Sequence, residues 1–296
     1  MIMSENIGGQ NGKDDKITAS RFTRKNWFVR MPMSSRVSLG LLVCLVLLSV
    51  IAQWLPLNAY AGELSKRMQP IGTPNHLLGT DAQGRDLLAR LIFGMRTSLF
   101  ISVTPVILAT LLALLIGIAS GFGGPVLHAV CAKLIDLLFA FPGILLSLLI
   151  AICLGNGVFS LILALTVVWI APLSKVAEQE VHRIKDRDYI LVARASGAKT
   201  IAIIYRQLLP VIFPTVMAYA TSLVGASIAI AGGLGFIGLG VPSPAPELGA
   251  MLQELQPSIF TNPTLVLEPG ILIIFLAILF PIVGDGLNIS IGVSKS

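Results

Sequence analysis

The stretch Ser174-Lys-Val-Ala-Glu-Gln-Glu-Val-His-Arg-Ile-Lys-Asp-Arg-Asp-Tyr189, continuing as Ile190-Leu-Val-Ala-Arg-Ala-Ser-Gly-Ala-Lys-Thr200 and Ile201-Ala-Ile-Ile-Tyr-Arg-Gln-Leu-Leu-Pro210, is polar and basic, and strongly apolar segments flank it. A structured, charged module between two apolar segments is something a soluble partner can grip. Residues 184–195 and 199–209 have helical composition, with Ser196-Gly197-Ala198 between them. Glycine just past a helix end permits a left-handed turn into a second helix. Ala193, Ala195 and Ala198 are small enough for another protein's backbone to approach closely. Pro210 and Pro214 are expected to end the second helix and open the next apolar segment. On composition alone two readings stand side by side: a short helix docking in a groove on a soluble motor, or an amphipathic helix lying among lipid headgroups.

Working outward, the flanks are apolar enough for a membrane. Mean hydropathy is +0.86. Charged residues make up 12% of the chain, against about 25% in a soluble domain. The apolar residues fall in blocks of about 20, the length that crosses the hydrocarbon layer. Backbone groups in lipid need internal partners, so the spans should be helices; the long Leu/Ile/Val/Ala runs exclude the short alternating segments of a membrane β-barrel. The expected fold class is therefore all-α integral membrane, with about six transmembrane helices at 37–56, 97–120, 131–154, 158–173, 211–231 and 269–289. Phe141-Pro142-Gly143 breaks the third near its middle. Residues 1–36 read as a disordered polar tail, 37–96 as the first span and an outer segment, and 97–296 as the core, carrying the polar loop 174–210.

Orientation follows from Lys and Arg. Of 21 such residues, five lie in 57–96, none in 232–268, and the rest fall in the tail, in 174–210 and at Lys133 and Lys295. The excess of positive charge marks the cytoplasmic side, so both termini and the polar loop are expected there. Because the basic residues flank spans, the net charge of +6 points to the lipid bilayer as partner and not to nucleic acid.

The sequence offers little chemistry. Cys44, Cys131 and Cys153 sit in apolar stretches without metal-ligand spacing. His128 and His182 read as isolated surface or packing side chains. No catalytic constellation and no metal site is assigned. Gly233-Leu-Gly-Phe-Ile-Gly238 matches a dinucleotide fingerprint, yet it follows a span and lacks a βαβ unit, so it reads as helix-end packing. The Gly-x4-Gly-Lys-Ser/Thr phosphate loop is absent. An ion-coupled secondary transporter is the alternative function, and it predicts membrane-buried carboxylates and often inverted repeats. Neither is clear here. Were the chain to move a solute uphill, the lack of a clear proton relay and of a phosphate loop would leave it dependent on an outside engine.

Tyr189-Ile-Leu-Val-Ala-Arg-Ala-Ser-Gly-Ala198 followed by Leu209-Pro210 resembles the EAA loop of ABC importer permeases. Aligned on Gly197, the spacing to Leu209-Pro210 fits without a gap. Leu191-Val192-Ala193 stands where the family has Glu-Ala-Ala, and Gln207 where it has Ile. A second block, His76-Leu-Leu-Gly-Thr-Asp-Ala-Gln-Gly-Arg-Asp-Leu-Leu-Ala-Arg-Leu-Ile-Phe-Gly-Met-Arg-Thr-Ser-Leu99, resembles a segment of the second permease subunit of dipeptide, oligopeptide, nickel and opine-type importers. Asp136 with Phe139-Ala-Phe-Pro142, and Leu234-Gly-Phe-Ile-Gly-Leu-Gly240 with Pro242 and Leu248-Gly249, are similar to the same family.

The resemblance spans residue 37 to the C-terminus. It implies a type I ABC importer permease fold in the bacterial cytoplasmic (inner) membrane, forming half of a path for peptides, nickel or metal-chelate solutes. It implies as partners a second homologous permease, two ATP-binding subunits and an extracytoplasmic solute-binding protein. ATP and Mg would be used by the partner ATPase, with no cofactor bound by this chain. By resemblance, Tyr189, Ala193, Arg194, Ala195, Gly197, Ala198, Leu209 and Pro210 are the ATPase-coupling candidates. Gly79, Thr80, Asp81, Gly84, Arg85 and Asp86, with Glu247 and Glu254, are candidates for the outer gate or the binding-protein surface. Leu87, Leu88, Leu91 and Ile92 form a helical stripe expected in an interfacial helix ahead of the second span, with Arg90 and Arg96 at the headgroups.

Overall fold

The computed structural model describes residues 30–291, so the expected tail lies largely outside the described residues. The elements are α1 (Met33–Ile51), α2 (Leu87–Phe122), α3 (Pro125–Phe139), α4 (Gly143–Leu154), α5 (Val158–Ile184), α6 (Asp188–Ala195), α7 (Thr200–Ile203), α8 (Leu209–Leu234), α9 (Leu248–Leu255) and α10 (Pro263–Ile291). Among the described residues there are only isolated β-bridges and no strand. Among the described residues, five helical runs are long and apolar enough to cross a membrane. Taking α3 and α4 as one span makes six; they meet at an angle of 84° across the Phe141-Pro142-Gly143 break. Proline removes a helical N–H and disfavours a helical conformation in the residue before it, which is why the apolar run cannot continue straight there.

Three boundaries depart from the hydropathy reading. First, α2 starts at Leu87, where the Asp86 carboxylate accepts the Ala89 N–H at 2.8 Å. The expected interfacial helix is thus no separate element. It forms the opening turns of a 36-residue helix.

Second, α5 runs on past the apolar limit at 173 to Ile184. Ser174, Ala177, Glu178, Val181 and Ile184 recur at helical spacing and are all buried, so the polar extension still has a face to pack. Its partner is the end of α2. A Cβ on Gly117 would lie 2.5 Å from Ala177 Cβ, and one on Gly121 would lie 2.6 Å from Val181 Cγ1. Only glycine lets the two backbones cross this closely.

Third, Pro210 ends nothing. A π-helical turn, Ile204–Leu208, joins α7 to α8, and the helical run continues from Thr200 to Leu239. The Leu209 N–H reaches back to Ile204 O. This wider turn shifts the hydrogen-bond register just before the proline, whose missing N–H then interrupts no regular ladder.

The α2–α5 and α8–α10 pairs form the centre, and α1 lies against α10. Exposed Leu41, Val43, Val46 and Leu47 on α1 suit a lipid-facing helix. The chain alternates between two faces. Residues 52–86 and 240–262 meet on one, where Arg85 bonds Glu254. The α2–α3 connection and the α5–α7 turn lie on the other, where Ser120 bonds Glu178.

Candidate functional site

On the second face, α6 ends in a turn built around Gly197. The Ala198 N–H returns to Ala193 O at 3.0 Å and the Gly197 N–H to Arg194 O at 3.0 Å. This nested pair is the Schellman arrangement, which requires a left-handed residue between helices. Gly197 supplies it, at φ +78. Nothing lies within 4 Å of where its Cβ would stand.

Around the turn, Tyr189, Leu191, Val192, Ile201 and Tyr205 expose apolar surface. Ala195 and Ala198 are exposed and Ala193 half-buried. Ile190 is fully buried and anchors α6. The Arg194 guanidinium stacks 4.5 Å from the centroid of Phe122, the last residue of α2, a cation–π contact. The structure thus gathers Tyr189, Ala193, Arg194, Ala195, Gly197 and Ala198 at one exposed corner. Leu209 and Pro210 stand apart from it, roughly 14 Å up the Thr200–Leu239 run at 1.5 Å per residue.

On the first face, the 76–99 block folds into a charged knot. Gly79 and Gly84 adopt left-handed conformations. Thr80 donates its hydroxyl to Lys66 O and accepts the Gln69 N–H. Asp86, besides capping α2, accepts from His76 Nδ1 at 2.9 Å. Asp81 accepts the N–H groups of Gln83 and Arg85 and the Arg85 Nε–H at 2.6 Å. Arg85 Nη2 and Arg90 Nη2 both donate to Glu254 Oε2, at 2.6 and 2.8 Å. Arg90 Nε stands 3.3 Å from Asp81. Arg90 is 1% exposed, so it does not reach headgroups as expected: α2 begins beneath α9, which delivers Glu254 to it. Arg96 is exposed and bonds Gln53.

Glu247, a candidate for the outer gate or the binding-protein surface, is also internal. It is buried and caps α9, accepting the N–H groups of Gly249 and Ala250 at 2.9 and 2.8 Å and the Ser98 hydroxyl at 2.9 Å. It therefore clips α9 to α2. Burial pushes its carboxyl above the usual carboxylate range, and these donors pull the other way. A charge reversal here would test folding and not docking. Glu247→Ala should destabilise by about 1–2 kcal/mol through loss of the cap. Because the folded-state value is raised, this group's contribution is fullest below its unfolded value and declines as pH rises through the folded one. Glu247→Gln should remove that slope. Thermal unfolding of the detergent-purified chain between about pH 4 and 8 checks both effects.

A third cluster was not legible. His128, at the start of α3, meets Glu178 and His182 of α5, with ligand-capable atoms all within 4.8 Å of one another. The i,i+4 spacing of Glu178 and His182 is visible in the sequence; the arrival of His128 is not, because it depends on how α3 leaves α2.

Residues 113–290 match the model of the family described as the binding-protein-dependent transport system inner membrane component. The chain belongs to this family. It is 31% identical, over 85% of its length and 83% of the relative's, to the dipeptide transport system permease protein DppC of Alkalihalophilus pseudofirmus. It is 29% identical, over 89% of its length and 95% of the relative's, to the nickel transport system permease protein NikC of Escherichia coli. Its fold is similar to an inward-facing crystal structure of the MetNI methionine ABC transporter, at a TM-score of 0.57 and 21% identity over 71% of this chain and 98% of that one.

This is a multi-pass membrane permease of the ABC importer class, a transport subunit and not an enzyme. The family match takes in the Gly197 turn, Glu247 and Glu254. It leaves out Asp81, Arg85 and Arg90, the other half of the charged knot.

Proposed function

We propose that the permease forms half of the translocation path of an ATP-driven, binding-protein-dependent importer, for peptides, nickel or metal-chelate solutes. The observation that carries this is the exposed Gly197 corner, held between the polar extension of α5 and the Thr200–Leu239 run. A groove on a partner ATPase would take α6, with Tyr189 and Val192 as apolar contacts and Ala195 and Ala198 allowing close approach. Binding of ATP with Mg by that partner, followed by hydrolysis of the ATP, would move α6. The stacking of Arg194 on Phe122, and the continuous helices on either side, would pass the motion into α2, α5 and α8 as a rigid-body shift between inward and outward access.

The excess of Lys and Arg near this corner supports placing it, with both termini, in the cytoplasm of a bacterial inner membrane. The first face would then receive a solute-binding protein. It presents Tyr60, Leu64, Leu77 and Phe260 to solvent. Asp81, Arg85, Glu247 and Glu254 act there as internal bracing of the gate. A second homologous permease would complete the path, and two ATPase subunits the machine. The relatives' cargoes, dipeptide and nickel, bracket the solute class.

Reconstitution tests this reading. Uptake into proteoliposomes is expected to require the co-expressed ATPase and second permease together with the solute-binding protein and ATP. Uptake by this chain alone under an ion gradient would overturn it.

A further inference from the structure

We propose that His128, Glu178 and His182 form a binding site for a divalent transition-metal ion of the zinc, cobalt or nickel class. The argument begins with the α2–α5 crossing. Gly117 and Gly121 bring the two helices close enough that Glu178, a carboxylate, is carried into their contact and left 3% exposed. It is held from two sides there. The Ser120 hydroxyl donates to Oε1, and the Lys175 ammonium lies 2.9 Å from Oε2.

His182 stands one turn further along α5, on the same face as Glu178. His128 leans in from α3, its Nδ1 at 3.4 Å from Glu178 Oε1, 3.1 Å from Ser120 Oγ and 3.2 Å from Ser120 O. The two imidazoles sit edge to face with centroids 5.7 Å apart. Two imidazole nitrogens and one carboxylate oxygen within 4.8 Å make a donor set that suits zinc and the neighbouring divalent ions, with further positions open to water. The carboxylate is fixed by its own hydrogen bonds, as metal-binding carboxylates commonly are. Both imidazoles reach solvent, His182 being exposed and the His128 side chain 46% exposed, so an ion has a way in.

The surrounding charges set the competition. Lys175 opposes a cation directly through its bond to Glu178, and Lys185 stands near His182, while Asp186 favours the ion. The Lys175 side chain is 49% exposed, so an entering cation would displace its ammonium into water. A bound ion would tie α3 to the α5 extension, close to Phe122, on which Arg194 of the α6 corner rests. It would therefore tie α3 to a helix that carries the proposed coupling motion.

The test reads metal and not transport, so it is independent of the transport reading. The full-length chain, purified without a histidine tag, is titrated with cobalt(II) and followed by visible ligand-field absorption. The expected result is a band saturating at one ion per chain and quenched by zinc. His182→Ala changes an exposed residue and should leave thermal unfolding unaltered while weakening binding by at least about tenfold. His128→Ala with His182→Ala should abolish the band. Lys175→Met should tighten binding. A band of wild-type strength and affinity in His182→Ala, or no band in the wild type, overturns the proposal; if the double variant fails to fold, His182→Ala alone decides.

Discussion

Glu254→Ala is expected to destabilise the permease strongly. Glu254 Oε2 accepts from both Arg85 and Arg90, and those residues are 2% and 1% exposed. With Glu254 present, two carboxylates balance two guanidiniums. Without it, Asp81 faces both arginines alone and one positive charge stays buried without a counterion. Removing one partner from a buried charge pair costs about 3–5 kcal/mol. The Glu254 side chain is 22% exposed, so water would reach part of the vacated space and the lower end of that range applies. Even about 3 kcal/mol is a large share of a net stability of roughly 5–15 kcal/mol.

The measurement is accumulation in the membrane and the unfolding midpoint in detergent. Glu254→Gln keeps an acceptor and should fall between Ala and wild type. Glu254→Leu combined with Arg90→Met removes one charge of each sign and leaves Arg85 with Asp81; it should recover much of the loss. If Glu254→Ala unfolds at the wild-type midpoint, the four charges are solvated and brace nothing.

This knot shows how far the sequence could be read. The 76–99 block was recognisable as a unit and its Leu87, Leu88, Leu91 and Ile92 stripe as helical, whereas Asp86 emerged as the cap of α2 only in the structure. Yet Arg90, 164 residues from the carboxylate that binds it, looked like a headgroup residue because its helical neighbours are leucines. A local pattern assigns a side chain to a helix face but does not say what another segment brings to that face. The same limit hid the His128 cluster.

The α5 extension failed for a different reason. Hydropathy stops at 173 because Lys175, Glu178 and Glu180 follow, but the helical spacing of Ala177, Val181 and Ile184 was present all along. Periodicity, and not mean hydropathy, carried the boundary. The Phe141-Pro142-Gly143 break and the Gly197 turn were legible because proline and glycine act on the backbone itself, whatever surrounds them.

Gly197→Val should separate folding from coupling. At φ +78 a β-branched residue is strained, by about 1–2 kcal/mol or more. Space is not the obstacle, since nothing lies within 4 Å of the added Cβ. The strain would be relieved by abandoning the left-handed turn, and with it the two bonds from Ala198 and Gly197 back into α6. Helix α6 would then change its angle to α7, while the spans, packed elsewhere, stay inserted. The expected outcome is a wild-type unfolding midpoint within a few degrees, loss of co-purifying ATPase, and at least a tenfold fall in ATP-dependent uptake, about 1.4 kcal/mol or more of coupling. Gly197→Ala should be intermediate. Gly197→Asn should retain most activity, because asparagine tolerates the left-handed region. The order Gly, Asn, Ala, Val is the signature of a backbone requirement. Were Asn as damaging as Val, the partner would be reading the absence of a side chain and not the turn; were Val to hold the ATPase at wild-type levels, α6 would not be where the ATPase docks.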